Sequence, residues 1–388
     1  MPQISITKLS SLQLFTISAV SVFVLTFVTT LLNLFKGNVS NTFYIAQLIL
    51  IILTLVVATI GFSESKIQSH KVYRWLTYVV LILTTITGNL FTLLMFVSLF
   101  RYEHTSKYNI YNSWEAFISK IKQHKVALVS FALLTYLLTL SITGIYTFNT
   151  SLATQNQFNE LLKGPSLAHP FGTDDFGRDL FTRLVVGTKL TYFISITSVV
   201  ISVLFGVLFG MIAGYFTKVD NTVMRILDII FAIPTLLLAV AIIASFGAST
   251  LTLIIALSIG NIPSFARTMR ANVLEIKRQE YIQAAQINGE SHRRILWSYI
   301  LPNTLAPMIV RFSLNIGVVV LTTSGLSFLG LGVAPNVPEW GNILRTGSNF
   351  LETHSNLAIF PGLCIMLLVL AFNFIGDAVR DALDPKIQ

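Results

Sequence analysis

Nine apolar stretches set the terms on which this chain can fold: about 12–35, 42–62, 73–100, 126–148, 188–216, 226–246, 249–266, 303–329 and 357–376. A helix crossing the hydrocarbon core of a bilayer needs about 20 mainly apolar residues, and each stretch comes close to that or exceeds it. Water is absent there, so every backbone N–H and C=O must find a partner within the protein, which leaves helices or closed barrels. Barrel strands alternate apolar and polar residues in segments of about 10, whereas these runs are unbroken. The pattern predicts an all-α polytopic membrane protein. Composition supports it, because 54% hydrophobic and 11% charged residues leave more apolar surface than a soluble core of a 388-residue chain can hide.

The net charge of +9 would suit a nucleic-acid partner only if the cations shared one soluble face with interleaved aromatics. They instead flank the apolar stretches: Lys120, Lys122 and Lys125 before the fourth, Lys218 and Arg225 in a short turn, and Arg267, Arg270, Lys277, Arg278, Arg293 and Arg294 after the seventh. No nucleic acid is expected. Lysine and arginine collect in cytoplasmic loops. With residue 120 inside, six alternating spans put 215–225, 267–299 and the tail (Arg380, Lys386) inside and 149–187 and 330–356 outside, so charge and alternation agree. The first hundred residues fit less well. Three complete spans there would leave the N-terminus outside together with Ser63–Arg74, which carries Lys66, Lys71 and Arg74. Either the 73–100 stretch is not a simple span, or packing holds this extension against its charges. The apolar run after Lys8 is longer than a signal-peptide core and no clear small-residue cleavage site follows it, so retained anchors are expected.

No repeat or low-complexity tract interrupts the chain, which divides into an N-terminal hydrophobic extension (1–100), a linker (101–125) and a six-span core (126–388). In the linker, Phe117, Ile118 and Ile121 recur at helical spacing near Trp114. That suits either an amphipathic helix on the cytoplasmic membrane surface or a plain juxtamembrane connection. The single cysteine, Cys364, excludes an intrachain disulfide. His70, His104, His124, His169, His292 and His354 are scattered without zinc-site spacing, so no metal is expected. The chain has no GxxxxGK[ST] phosphate loop, not even a Gly-Lys pair, and no Ser-His-Asp or Cys-His constellation; it is not expected to be an enzyme.

Two loops carry the polar chemistry. The external one, His169–Ser195, reads HPFGTDDFGRDLFTRLVVGTKLTYFIS. Gly172 and Gly177 can turn tightly. Asp174, Asp175 and Asp179 can accept from backbone amides or pair with Arg178 and Arg183, giving a rigid cap at the membrane mouth. A cation held by the three aspartates is the lesser alternative, since the arginines compete and the spacing is not that of a calcium loop. The second loop, 279–303, reads QEYIQAAQINGESHRRILWSYILPN. It places a small pair (Ala284, Ala285), then Gly289, a basic run (His292, Arg293, Arg294) and a Leu301–Pro302 re-entry between two apolar stretches, where a soluble partner can grip it.

That second loop resembles the cytoplasmic EAA coupling loop of ABC-importer permeases, with Gln283 where the family most often has Glu and Tyr299 where it has Ile. HPFGTDDFGRDLFTRL resembles the HPxGTDxxGRDxxSR signature of the C-type permease subunit of dipeptide, oligopeptide and nickel ABC importers, with Thr182 in place of the commoner Ser. Gly325–Leu344 and Phe372–Lys386 are similar to the same family's external loop and C-terminus. The likeness covers roughly 120–388, and residues 1–100 have no counterpart in it.

The resemblance implies a six-span type I ABC-importer permease core preceded by about three additional hydrophobic segments, multi-pass in the bacterial inner (cytoplasmic) membrane and surrounded by membrane lipid. It implies a second homologous permease, two ATPase subunits and an extracellular or periplasmic substrate-binding protein as partners. ATP and Mg belong to the ATPase subunits, and this chain needs no cofactor. Within the coupling loop (about 271–299), a docking helix is expected from near Val273 through Glu280–Asn288. Ala284 and Ala285 would let an ATPase approach, Gly289 would turn the chain, and Glu275, Lys277, Arg278 and Glu280 would orient the docking, with Gln283 in the motif. Pro302 would open the next span. In the cap, Asp174, Asp175, Arg178 and Asp179 would meet the delivery protein.

Intramembrane polar residues are functional candidates. Arg311 and Asn315, four apart, either face the pathway to meet a peptide carboxylate or carbonyl, or serve structure, with Arg311 snorkelling or pairing. Asp228 can pair with Arg225 on one helix face. Asn373 and Asp377 are expected to end the last span beside Arg380, and Gly206 with Gly210 forms a GxxxG packing seam. For cargo, di- or oligopeptides come first and nickel or a metal chelate second. An ion-coupled secondary transporter would need inverted repeats and a midplane acidic site, which the sequence lacks. A membrane scaffold or enzyme would leave both loops unexplained.

Overall fold

The computed structural model describes residues 11–36, 39–63, 71–105 and 110–383; Lys66 and His70 of the 63–74 turn and Lys386 of the tail lie outside the described residues. The helices are α1 (Ser11–Lys36), α2 (Phe43–Phe62), α3 (Lys71–Ile86), α4 (Leu90–Thr105), α5 (Ile110–Gln123), α6 (Lys125–Thr147), α7 (Leu180–Tyr215), α8 (Thr217–Ala232), α9 (Thr235–Phe246), α10 (Thr250–Ile276), α11 (Glu280–Ile287), α12 (His292–Phe328), α13 (Trp340–Ser348) and α14 (Asn356–Leu383). Among the described residues seven are long and apolar enough to cross a membrane, or eight if the bent pair α8 and α9 makes one span. The chain forms two compact units, Met1–Leu190 with Asn336–Cys364 and Thr191–Pro335 with Ile365–Gln388.

In the first unit the 73–100 stretch is not one helix. It breaks at Thr87–Asn89, and α3 and α4 fold back along each other. Gly88 takes φ +91°, which a side chain resists, and a Cβ there would lie 3.0 Å from the backbone of Leu138 and Thr139 in α6. Asn89 fixes the turn by donating Nδ2 to the Ala19 carbonyl of α1 at 3.0 Å. Aromatic rings knit the bundle: Phe91 packs edge-on to Phe131 (4.9 Å) and tilted on Phe15 (6.4 Å). The amphipathic face of α5 is spent on protein. Ile118 is buried, Trp114 and Phe117 pack on the bundle, and Trp114 Nε1 donates to Ser98 Oγ at 3.2 Å.

In the second unit a glycine seam brings α7 onto α10. A Cβ on Gly206 would run into Phe265, one on Gly210 into the Ala266 carbonyl, and one on Gly214 would sit 2.7 Å from Val273 Cβ. The expected 226–246 span is broken by 84° between α8 and α9. Pro234 lacks an N–H and forces Ile233 into an extended conformation (φ −90°, ψ 124°), so no helix passes through. Pro302 stands, as expected, in the first turn of the α-helical stretch Leu301–Phe328, but the chain is already helical from His292 and passes through a wide π turn over Ile295–Ile300, in which Leu301 N–H reaches back five residues to Leu296. That turn makes room for the proline ring. The last span continues to Leu383, so Asn373 and Asp377 lie within it and do not end it. Likewise α7 starts at Leu180 rather than 188. Asp228 pairs with Arg267 (2.5 Å) across to α10, not with Arg225.

Since overpacking a tight seam costs about 1–3 kcal/mol, Gly210→Leu should lower the thermal midpoint of the protein in nanodiscs. Gly325→Ala, whose Cβ would meet nothing within 4 Å, should leave it unchanged.

Candidate functional site

In the external cap the aspartates do different jobs. Asp174 is buried and saturated: its Oδ1 accepts from the amides of Phe176 (3.0 Å) and Arg178 (2.9 Å), and its Oδ2 takes Arg178 Nε at 2.8 Å with Arg183 Nε at 3.6 Å. Asp179, also buried, sits at the start of α7, where Oδ2 accepts from the Thr182 amide at 2.8 Å and Oδ1 shares a hydrogen bond with His169 Nδ1 at 2.9 Å. Arg183 reaches the Ala153 carbonyl at 2.9 Å. The backbone must turn left-handed at Gly177 (φ +74°), where any Cβ would strike the Gln157 carbonyl. Between Gly172 and Leu180 only Phe176 is exposed and Asp175 partly so, while Asp174, Arg178 and Asp179 are buried and hold the cap together from within. Among the described residues no group of three His, Cys, Asp or Glu is placed to hold a metal.

The coupling loop is a short helix on a pedestal. Val273 belongs to α10 and is fully buried, and the short helix begins at Glu280 and not near Val273. Its end is a Schellman motif: Glu290 N–H donates to Ala285 O and Gly289 N–H to Gln286 O, each at 3.1 Å, with Gly289 at φ +78°. The small pair is divided between two faces. Ala285 is buried with Ile282, whereas Ala284 lies outward with Glu280, Tyr281, Gln283 and Ile287. Sequence reasoning passed over the pedestal, Tyr215 at the end of α7. Lys277 Nζ donates to its carbonyl at 2.6 Å from one side of α11, and His292 Nδ1 meets its hydroxyl at 2.8 Å from the other. The apolar run up to Tyr215 was the signal for a span end, but nothing in it marked the residue as an anchor.

Arg311 and Asn315 do come together, on one wall of a cavity of about 760 Å³ that Thr268, Asn303 and Arg380 also line. Arg311 donates Nη2 to Ser264 Oγ and lies 5.9 Å from the Phe265 ring, yet its Nε is buried without a partner. Asn315 Nδ2 is 3.4 Å from Asn261 Oδ1, while its own Oδ1 is buried and unpartnered. No acidic residue is among those lining the cavity. Arg311 therefore lies on the cavity wall, held by Ser264.

The chain is 41% identical over 283 residues to the dipeptide transport system permease protein DppC of Alkalihalophilus pseudofirmus, a match that spans 73% of this chain and 93% of that protein. It belongs to the family of binding-protein-dependent transport system inner membrane components. That family's pattern matches residues 206–388. A glutathione transport system permease protein, GsiD of Pectobacterium atrosepticum, is 37% identical over 276 residues, covering 71% of this chain and 92% of that one. A structural likeness extends to the MetNI methionine ABC transporter in an inward-facing conformation, with 21% identity, a TM-score of 0.44 and coverage of 52% of this chain and 97% of that one. The protein is thus a multi-pass inner-membrane permease subunit of an ABC importer, itself not catalytic, working with ATPase and substrate-binding partners.

Burial, and then the charge of Asp174, raise the pKa of Asp175. An acid whose pKa is higher folded than unfolded weighs against folding once ionised, and this penalty disappears as pH falls below about 4, the ordinary carboxylate value. Asp175→Asn should therefore raise the thermal midpoint of the permease at pH 7 and lose that advantage near pH 3.5. Asp174→Asn removes one partner of a buried pair and should cost about 3–5 kcal/mol at pH 7.

Proposed function

We propose that this permease forms one half of the pathway of an importer for di- or oligopeptides. The observation that carries this reading is the cavity at Arg311. Two guanidiniums, amide side chains and no lining acid suit a cargo with a free carboxylate, and a bare divalent cation gains nothing there. The DppC and GsiD likenesses support it, since both relatives are named for peptide cargo. A second homologous permease supplies the other half, two ATPase subunits carrying ATP and Mg drive the cycle, and an extracellular or periplasmic binding protein delivers the cargo. Residues 126–388 make the transmembrane permease domain, with the coupling loop at 271–299, behind the extension 1–100 and the linker 101–125.

The docking surface is the outward side of α11, formed by Glu280, Tyr281, Gln283, Ala284 and Ile287, with Gly289 setting the exit of the chain. Ala284 keeps the surface low enough for an ATPase groove to close over the helix. Lys277 and His292 pass displacement of α11 to Tyr215 and hence to α7, so closure of the ATPases tilts membrane helices as rigid bodies. The cap, with Asp175 and Phe176 at its surface, meets the delivery protein.

In cells lacking this gene, wild type should restore uptake of labelled peptide, and Arg311→Gln should reduce it. Gly289→Asp should abolish it with the protein still in the membrane. Restoration of nickel uptake instead would move the cargo to metal, and full peptide import by Gly289→Asp would end the coupling assignment. Ala284→Trp should block transport without shifting the thermal midpoint, whereas Ala285→Trp should lower the midpoint itself.

A further inference from the structure

The first hundred residues lie outside the 206–388 family match, and their packing carries its own chemistry. One end of this bundle gathers the start of α1, the end of α2, the open end of the α3–α4 hairpin and α5. A Cβ on Gly61 would strike Thr16, Thr16 Oγ1 contacts Met95 Sδ at 3.8 Å, and Arg101 lies 5.2 Å over the Trp114 ring. The opposite end is the α1–α2 connection bound to the end of α6, through Thr42 Oγ1 to the Tyr146 carbonyl at 2.8 Å and Ser40 N–H to the Thr147 carbonyl at 3.5 Å. The hairpin stops short of that opposite end, with Gly88 beside Leu138 and Thr139 and Asn89 on Ala19.

Length says the same. The apolar parts of the hairpin, Val72–Ile86 and Leu90–Arg101, rise about 22 and 18 Å at 1.5 Å per residue, against a hydrocarbon core of about 30 Å. Charge gives the side. Arg74, Arg101, Lys120, Lys122 and Lys125 belong to the first end, against Lys36 at the end of α1 on the other, where residues 39–42 and 146–151 carry no charge. The mismatch between charge and alternation in the first hundred residues shrinks to Lys36 when 73–100 enters and leaves by the cytoplasmic face.

A hairpin of half depth leaves space above its tip. That space is a groove of about 340 Å³ lined by Ile45, Ile49 and Leu53 of α2, Ile86 of the tip, and Ile142 and Tyr146 of α6. The threonine hydroxyls on its wall are already spent on backbone: Thr42 on Tyr146, Thr87 on Thr84, Thr143 on Thr139. Such a lining asks for an alkyl chain and leaves only the Tyr146 phenol for a polar group. It is continuous with the bilayer-facing side of α2, where Ile45 (63% exposed) and Ile49 (49%) run on into Leu48 and Ile52. We propose that residues 72–101 form a re-entrant hairpin opening to the cytoplasm, and that the groove above its tip holds an acyl chain of an outer-leaflet phospholipid.

Cys364 is the only cysteine, so single cysteines in a full-length Cys364→Ser permease report sidedness. An impermeant maleimide applied to intact cells should label Thr42→Cys at once, and Ser63→Cys and Arg101→Cys only after permeabilisation. Labelling of just one of the last two from outside would make 73–100 a complete span and overturn the hairpin. In vesicles containing phosphatidylglycerol with a photoreactive acyl chain, cross-links should map to Ile49 and Ile142 and disappear in Ala46→Phe, which fills the groove, with the maleimide pattern kept. Cross-links that persist in Ala46→Phe, or that never reach the groove residues, would overturn the lipid site.

Discussion

Backbone groups in a bilayer have no water to turn to, and the rest of this structure depends on how that constraint is met wherever a helix stops. Each interruption comes with its own cover. At Thr87–Asn89 the turn is pressed against α6 and bonded to α1. At Pro234 the chain bends by 84° where the missing N–H removes one group from the account. Ahead of Pro302 the π turn reassigns Leu301 N–H to Leu296, so the ring meets no carbonyl that a regular α turn would have put in its way. The breaks are therefore places where the sequence supplied proline, glycine or an amide side chain. They shape the hairpin, the bent span and the junction between α11 and α12.

The same accounting separates scaffold from receptive surface among the polar side chains. Asp174 is buried, and two backbone amides and two arginines turn toward it. A carboxylate satisfied in this way stabilises a loop and leaves nothing for a ligand. Arg311 has a single hydroxyl partner and an orphaned Nε, and Asn315 one turn on has an orphaned Oδ1. A buried unmet donor or acceptor costs about 1–3 kcal/mol, and two on one cavity wall are tolerable where water or cargo can supply the missing bonds.

Much of this was legible in the sequence, for reasons that also mark where legibility ended. Long apolar runs fixed the existence of α1, α2, α6, α7, α10, α12 and α14, because about 20 apolar residues in a row admit few other fates. Between residues 73 and 100 the run by itself fits one tilted span or two short helices equally, and only the positive charges of Lys66, Lys71 and Arg74 ahead of it spoke against a simple span. The cap motif named Asp174, Arg178 and Asp179 correctly as a cluster but could not say which carboxylate stays outside. Spacing put Ala284 beside Ala285, yet adjacent helical residues point about 100° apart, and only the packing under α11 decides which one a partner can touch. Asp228 found Arg267 on another helix because tertiary geometry outranked the local i, i+3 choice.

That packing also bears on how α11 would transmit force in the coupling role proposed for it. A helix of 8 residues has no stability of its own in water, since nucleation is unfavourable and few hydrogen bonds follow it. α11 is helical because Ile282 and Ala285 are buried beneath it, because Gly289 closes its C-terminus, and because Lys277 and His292 tie both flanks to Tyr215. A partner that pulls on the outward face works against those contacts together. The helix then moves with the end of α7 or unfolds, and the fixed points on Tyr215 favour movement.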